Sequence, residues 1–294
     1  MSNSMNGFPK VIKDGLMIHD LIHGGRPKAL RGKVTMGYGL QTDPITGISS
    51  LNEVVLEDDN EIVLGGTLFA LEKLFNVSAD LNVAYLNDIM GFGIDGPAIN
   101  EKYPKDTGLC LFNVGLGGCG DSYSDVKVVL QQRRQIDSMI PFRVVDEPFE
   151  PGSEQAGKYW MMVQNSDGKY CYYGKSFTKS PTIKALWKDA SKNGEDGSPV
   201  VESDYNSVKD IPIETFAEAI LTIEPTDLRE YFELYSNITS ARFNSIGLCS
   251  GIKSVCADGR PEYKQVKQFS ILNFSNEMLH MNKDLVTIYR IYSA

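Results

Sequence analysis

Histidine, tryptophan and clustered basic residues are scarce in this sequence, and each scarcity excludes something. There are three histidines and two tryptophans among 294 residues. His19 and His23 are four apart and would share a helix face. The string between them is Asp20-Leu21-Ile22, which differs from the zinc-binding pattern, and Gly24-Gly25 truncates any helix at once. His280 has Glu277 near it but no Ser or Cys partner that the sequence can name, so a hydrolytic triad is unsupported. Lys and Arg total 29 against 38 acidic residues, a net charge of −9, and the one tight basic pair is Arg133-Arg134. An extended nucleic-acid interface needs a clustered basic face, so no nucleic-acid partner is expected.

Cysteine is equally uninformative as a ligand. Cys110, Cys119, Cys171, Cys249 and Cys256 are odd in number and contain no Cys-x-x-Cys, and the two closer pairs have no histidine beside them. All five are expected to be reduced and mostly buried. No apolar run approaches the roughly 18–20 residues of a membrane span. The most apolar stretch, Ile62 to Leu71, is broken by Gly65-Gly66, so no membrane partner is expected. The opening residues Met1 to Pro9 lack a basic region followed by an apolar one, so a secretory signal is not expected and the protein is placed in a cytoplasm.

What is abundant points to strands. Apolar residues make up 42% and charged residues 23%, ordinary for a folded chain, with 14 Tyr, 13 Phe and 27 Gly. Short strands are expected at Lys33–Met36, Leu109–Val114, Val126–Gln131 and, as an edge, Met139–Val145, where Pro141 cannot donate to a ladder. Gly37-Tyr38-Gly39 and Asp43-Pro44-Ile45-Thr46-Gly47 are expected to break any long element. Tyr159–Val163 and Tyr170–Tyr173 flank Asp167-Gly168, a hairpin signal, and Thr182–Trp187 could add a third strand. Ala241–Cys249, Gln265–Phe274 and Leu285–Tyr292 complete the strand set. The last alternates apolar residues on both faces and must be paired to be ordered.

Two helical regions are expected. In the first, Asp58-Asp59-Asn60-Glu61 would cap a stripe of Leu64, Leu68, Leu71 and Phe75. The second spans Ile213 to Tyr235, with Phe216, Ile220 and Leu221 on one face, a break at Pro225, and Thr226 capping a further helix through Leu228, Tyr231, Phe232 and Tyr235. The fold class is α+β, mainly β, with antiparallel sheets. The expected organisation is 1–145 as an extended and mixed region, 146–210 as a small hairpin insertion, and 211–294 as a helical segment with a β region.

No motif selects a reaction. Gly115-Leu-Gly-Gly-Cys-Gly-Asp-Ser has neither dinucleotide-binding spacing nor the Gly-Lys-Ser/Thr of a phosphate loop. Asp58, Asp59, Asp80, Asp88 and Asp95 show no spacing that singles out a pair, and Asp121-x-x-x-Asp125 lacks alternating calcium ligands. No catalytic residue, cofactor or metal is assigned.

Several segments carry a resemblance. Ala241-Arg-Phe-Asn-Ser-Ile-Gly-Leu-Cys-Ser-Gly-Ile, Phe269-Ser-Ile-Leu-Asn-Phe and Leu285-Val-Thr-Ile-Tyr-Arg-Ile-Tyr resemble strands of structural proteins of tailed-bacteriophage virions, as do Met139-Ile-Pro-Phe-Arg-Val-Val and Tyr172-Tyr-Gly-Lys-Ser-Phe. About a third of the chain is involved. The resemblance implies a non-enzymatic subunit of a tail, neck or baseplate, assembled in host cytoplasm as a symmetric homo-oligomer with other virion proteins. Gly115, Gly117 and Gly118 and the first fifty residues would then be contact segments. Tyr159, Trp160, Tyr172 and Tyr173 would be interface anchors or simply hairpin core. Two alternatives stand beside it: a receptor- or glycan-binding module, since aromatics flanked by Asn and Asp suit sugar stacking, and a hydrolase built on carboxylates.

Overall fold

The computed structural model describes residues 30–62, 66, 69–70, 73, 108–115, 140–164, 168–187, 213–235, 241–255, 257–278 and 282–293. Among the described residues eleven strands dominate: β1 (Arg31–Thr42), β2 (Ser49–Ile62), β3 (Gly108–Gly115), β4 (Arg143–Val145), β5 (Tyr159–Gln164), β6 (Cys171–Lys175), β7 (Lys179–Trp187), β8 (Ile213–Ile223), β9 (Arg242–Val255), β10 (Pro261–Met278) and β11 (Leu285–Ser293). They are joined by the short helices α1 (Glu154–Lys158) and α2 (Arg229–Tyr235). The α+β, mainly β class is the one observed.

The strands form two sheets joined at a corner. Sheet A has the order β2-β1-β11-β8-β7 and is antiparallel throughout. Sheet B has the order β4-β6-β5-β10-β9-β3. β10 meets β2 at Ser270↔Ile62 and Ile271↔Glu61, which ties the sheets together. A bridge between Leu111 and Ser176, the residue after β6, brings β3 back to β6, so the circuit β6-β5-β10-β9-β3 closes on itself. Three irregularities along β10 let an 18-residue strand bend enough to serve both sheets. Strands from all three sequence regions pair with one another, β1 with β11 and β5 with β10 among them.

Several local expectations are corrected. Gly37-Tyr38-Gly39 does not end an element: β1 runs through it, absorbing a bulge between Met36 and Gly37. A Cβ on Gly37 would lie 1.9 Å from the Glu53 carbonyl oxygen, so glycine there permits close backbone approach. Asp58–Glu61 do not cap a helix; they belong to β2, where Asp59 faces Lys33 and Glu57 faces Thr35 across the ladder. Of the helix expected after them, Gly66, Phe69, Ala70 and Lys73 have helical backbone, and the rest of its stripe lies outside the described residues. Ile213–Ile223 is β8, a strand, although Phe216, Ile220 and Leu221 fit helical spacing. Nine residues of β8 pair with β11 and β7 flanks the other side, and tertiary pairing overrides the helix preference of Ala and Glu. Val126–Gln131 and the loop at 192–198 lie outside the described residues.

One large core lies between the sheets. It includes Val34, Met36, Phe112, Phe142, Tyr159, Phe232, Phe243, Leu248, Tyr263 and Tyr289. The other face of sheet A buries a smaller cluster of Ile220, Val286 and Ile288, covered by Leu40 and Leu51 from the β1–β2 hairpin. This explains the doubly apolar β11: both faces are covered, one by the core and one by a hairpin folded back over the sheet.

Candidate functional site

The densest group of ionisable side chains lies where the turn between β8 and α2 meets β5, β6 and α1. Asp227 is fully buried. Its carboxylate accepts from the Tyr159 hydroxyl at 2.6 Å, from Lys175 Nζ at 2.6 Å and from the Glu224 N–H at 2.7 Å. Glu224 lies 3.4 Å from Lys175 Nζ and 3.2 Å from Lys158 Nζ. Lys175 Nζ also stands 5.1 Å above the Tyr159 ring. Beside this group Arg143 makes a two-pronged pair with Glu230, at 2.8 and 2.9 Å from Nε and 2.5 Å from the terminal nitrogen. The Val144 N–H donates to the same carboxylate at 3.1 Å.

Local sequence explains the placement. Pro225-Thr226-Asp227-Leu228 turns the chain from β8 into α2, and Asp227 anchors the turn by accepting the Glu224 N–H. Thr226, expected as the cap, is exposed. Leu228 takes φ 67°, unusual for a branched residue, and is held there by complete burial and by donating its N–H to the Phe142 carbonyl at 2.9 Å.

A lysine, a tyrosine and a carboxylate in contact could serve acid–base chemistry, but the electrostatics run the other way. Burial and the neighbouring Asp227 push the Tyr159 phenol far above its usual range. A proton-transferring tyrosine needs the opposite shift. Burial raises Asp227, with Lys175, Tyr159 and the Glu224 N–H working against it. Burial also opposes ionisation of Glu224, but Lys175 and Lys158 outweigh it and hold its carboxyl below the usual range. The side chains of Lys175 and Asp227 are 4% and 0% exposed. The group is a clamp that fixes the β8–α2 turn to sheet B.

A second buried pair pins the hairpin over sheet A. Arg290 Nε donates to Glu218 at 2.9 Å, and a terminal nitrogen donates to the Ser49 carbonyl. Ser49 N–H donates back to Glu218 at 3.2 Å. Lys179 Nζ donates to Thr42 at 3.0 Å. An open groove of about 580 Å³ lies nearby, lined by Tyr38, Asn52, Glu53, Lys283 and Asp284 among others. Lys283 Nζ stands 5.4 Å over the Tyr38 ring.

The residues singled out by sequence scatter. Gly115 ends β3, buried and paired with Ser245; Gly117 and Gly118 lie outside the described residues. Tyr159, Tyr172 and Tyr173 are buried in the chain's own core. Tyr173 accepts the Phe149 N–H at 3.0 Å. Trp160 is half-buried, stacked 5.2 Å from Tyr263 with Lys253 Nζ 5.0 Å over its ring. Cys110, Cys171 and Cys249 are free and buried, and burial pushes the Cys110 thiol up to about 12; Cys119 and Cys256 lie outside the described residues. His19, His23, His280 and Arg133-Arg134 lie there too.

Sequence reasoning missed Lys175, Asp227, Glu218 and Arg290, because a charge in a strand or turn reads as solvated until its partner is known. It also missed the open side of sheet A. β7 is the last strand in its sheet among the described residues, and Ile183 on it is 83% exposed. Among the described residues no three His, Cys, Asp or Glu side chains are grouped to hold a metal, and no helix is long and apolar enough to cross a membrane. Compared with protein-family models, curated proteins and solved structures, the chain matches none.

Proposed function

We propose that the chain is a non-enzymatic structural subunit of a tailed-phage virion, of the tail, neck or baseplate, assembling through strand edges and loops with itself and with other virion proteins. The observation that carries the assembly part is β7, the last strand of sheet A among the described residues, whose Ile183 side chain is 83% exposed in its middle. Edge strands are templates for pairing with another chain and are usually blunted. β7 carries Lys179 and Lys184, and at its start Pro181 and a register shift between Lys179 and Thr182 interrupt the ladder; Thr182–Trp187 pairs regularly with β8. The buried charges support a passive role, since Asp227, Lys175, Glu218 and Arg290 are all used within the chain. The virion class rests on the resemblance of 241–252, 269–274 and 285–292, which form β9, β10 and β11 and so make the sheet interior.

The test is purification of the chain alone and with co-expressed candidate neighbours, followed by mass measurement and electron microscopy. A defined oligomer or mixed complex is expected. A chain that stays monomeric in every combination, or that turns over a substrate with loss on Glu224→Gln, overturns the reading.

A further inference from the structure

The β1–β2 hairpin changes character at one level. Up to Gly37, β1 is paired on both sides, with β2 and with β11, and Gly37↔Val286 is its last pair to β11. At the same level Met36 pairs with Leu56 and Gly37 with Val54, so Val55 is an extra residue and the ladder bulges. Gly39, just beyond, takes φ 71°. From there 38–42 and 49–53 pair with each other and, among the described residues, with no other strand. The ribbon is irregular where the support of β11 ends, and such element ends are where hinges form.

Past this level the ribbon covers Ile220, Val286 and Ile288 on the outer face of sheet A with Leu40 and Leu51. Its far end is fastened by polar contacts. Glu218 and Arg290 hold the Ser49 backbone, and Lys179 Nζ donates to Thr42 at 3.0 Å. Lys184 Nζ lies against the tip, 2.6 Å from where a Cβ on Gly47 would stand. Each of these contacts uses a side chain of β7, β8 or β11, so releasing them breaks no pairing within sheet A. At the bend the ribbon stands off the sheet. The open groove of about 580 Å³ there is lined by Gly39, Asn52 and Glu53 of the ribbon and by Thr222, Lys283 and Val286.

We propose that 38–53 is a hinged strap, which swings as one unit about 36–39 and 54–56. Closed, it is latched by Arg290, Glu218 and Lys179 and keeps Ile220, Val286 and Ile288 out of solvent. Open, it uncovers that apolar strip while sheet A, sheet B and the core between them stay folded. Opening of this kind is a local event, of lower cost than unfolding of the whole chain. The strap is a cover built into the fold, and it does not depend on the assembly reading above.

The test is thiol labelling of the full chain with a maleimide in native buffer, read residue by residue by mass spectrometry. Ile288→Cys places a thiol under the strap, and the native Cys110 and Cys249, buried in the main core, report opening of that core. The thiol at 288 is expected to label at least about ten-fold faster than Cys249. Adding Lys179→Ala or Leu51→Ser raises the rate at 288 and leaves the rates at Cys110 and Cys249 unchanged. A rate at 288 that never exceeds that of Cys249 overturns the strap. Should circular dichroism show that the substituted chain does not fold, the unsubstituted chain decides by amide exchange. The Ser49 N–H, which donates to Glu218, is then expected to exchange faster than that of Ile288, a residue paired with strands on both sides. One common rate for the two amides overturns the strap.

Discussion

A lysine held at 4% exposure against a fully buried aspartate is stable only while each neutralises the other. Lys175→Met would leave Asp227 as a buried charge with its Lys175 partner gone, and a loss of about 3–5 kcal/mol is expected. Tyr159→Phe removes one of the donors to Asp227 and is expected to cost about 1–3 kcal/mol. Urea unfolding midpoints at constant slope would check both; a Tyr159→Phe effect as large as that of Lys175→Met would contradict the ranking. Gly247 is constrained differently. A Cβ there would lie 2.0 Å from the Ser270 carbonyl oxygen and 2.9 Å from Asn113 Oδ1, in the centre of the β3-β9-β10 ladder. Gly247→Ala must push two strands apart, and a loss of about 3 kcal/mol or more is expected from the same measurement. The sequence displayed that glycine but not the carbonyl opposite it, because the neighbour comes from β10, beyond the β9–β10 turn.

At the scale of elements, the β1–β2 hairpin depends on a pin at its far end. Its tip turn is locally encoded: Asp43 accepts the Ile45 and Thr46 N–H groups at 2.8 and 2.9 Å, and Gly47 takes φ 66°. Where the tip rests is not locally encoded, since Glu218 and Arg290 lie far along the chain. Arg290→Met would leave Glu218, 4% exposed, without its guanidinium. A loss of about 3 kcal/mol is expected, with faster amide hydrogen exchange at Ser49 and Leu51 than in the core strand β9. Uniformly unchanged exchange would mean that the hairpin is held by Leu40 and Leu51 alone. β8 shows how an element can mislead. Its Phe216, Glu218, Ile220 set alternates with Ala217, Ala219, Leu221, Ile223 as well as it fits a helix. A buried glutamate looks like a helix's solvent face until Arg290 is placed opposite it.

For the whole molecule, acid should weaken the fold. Glu57, bonded to Lys33, titrates below its ordinary value of 4.5. Glu224 does so as well, its two lysines outweighing its burial. A carboxylate with a depressed folded value contributes stability that is complete above its unfolded value and is lost as pH falls through the folded one. Melting temperature is therefore expected to hold near neutral pH and decline below about pH 4.5. Asp227, raised by burial, has the opposite sign: its contribution is present below its ordinary 3.8 and is lost as pH rises through the raised value, which softens the decline. A melting temperature that climbs steadily on acidification would contradict the dominance of the two glutamates.

Composition and alternation alone determined that this chain is built mainly of strands and that β9, β10 and β11 exist roughly where they do. These are local matters of side-chain shape, period and spacing. Only the tertiary structure decided that 213–223 is a strand, that Asp58–Glu61 pair across a ladder, that Asp227 and Lys175 neutralise each other, and that β7 is the last strand of sheet A among the described residues. Each of those depends on which distant strand supplies the partner, and pairing across long stretches of chain is settled by shared burial and hydrogen bonding, which no short window of sequence contains.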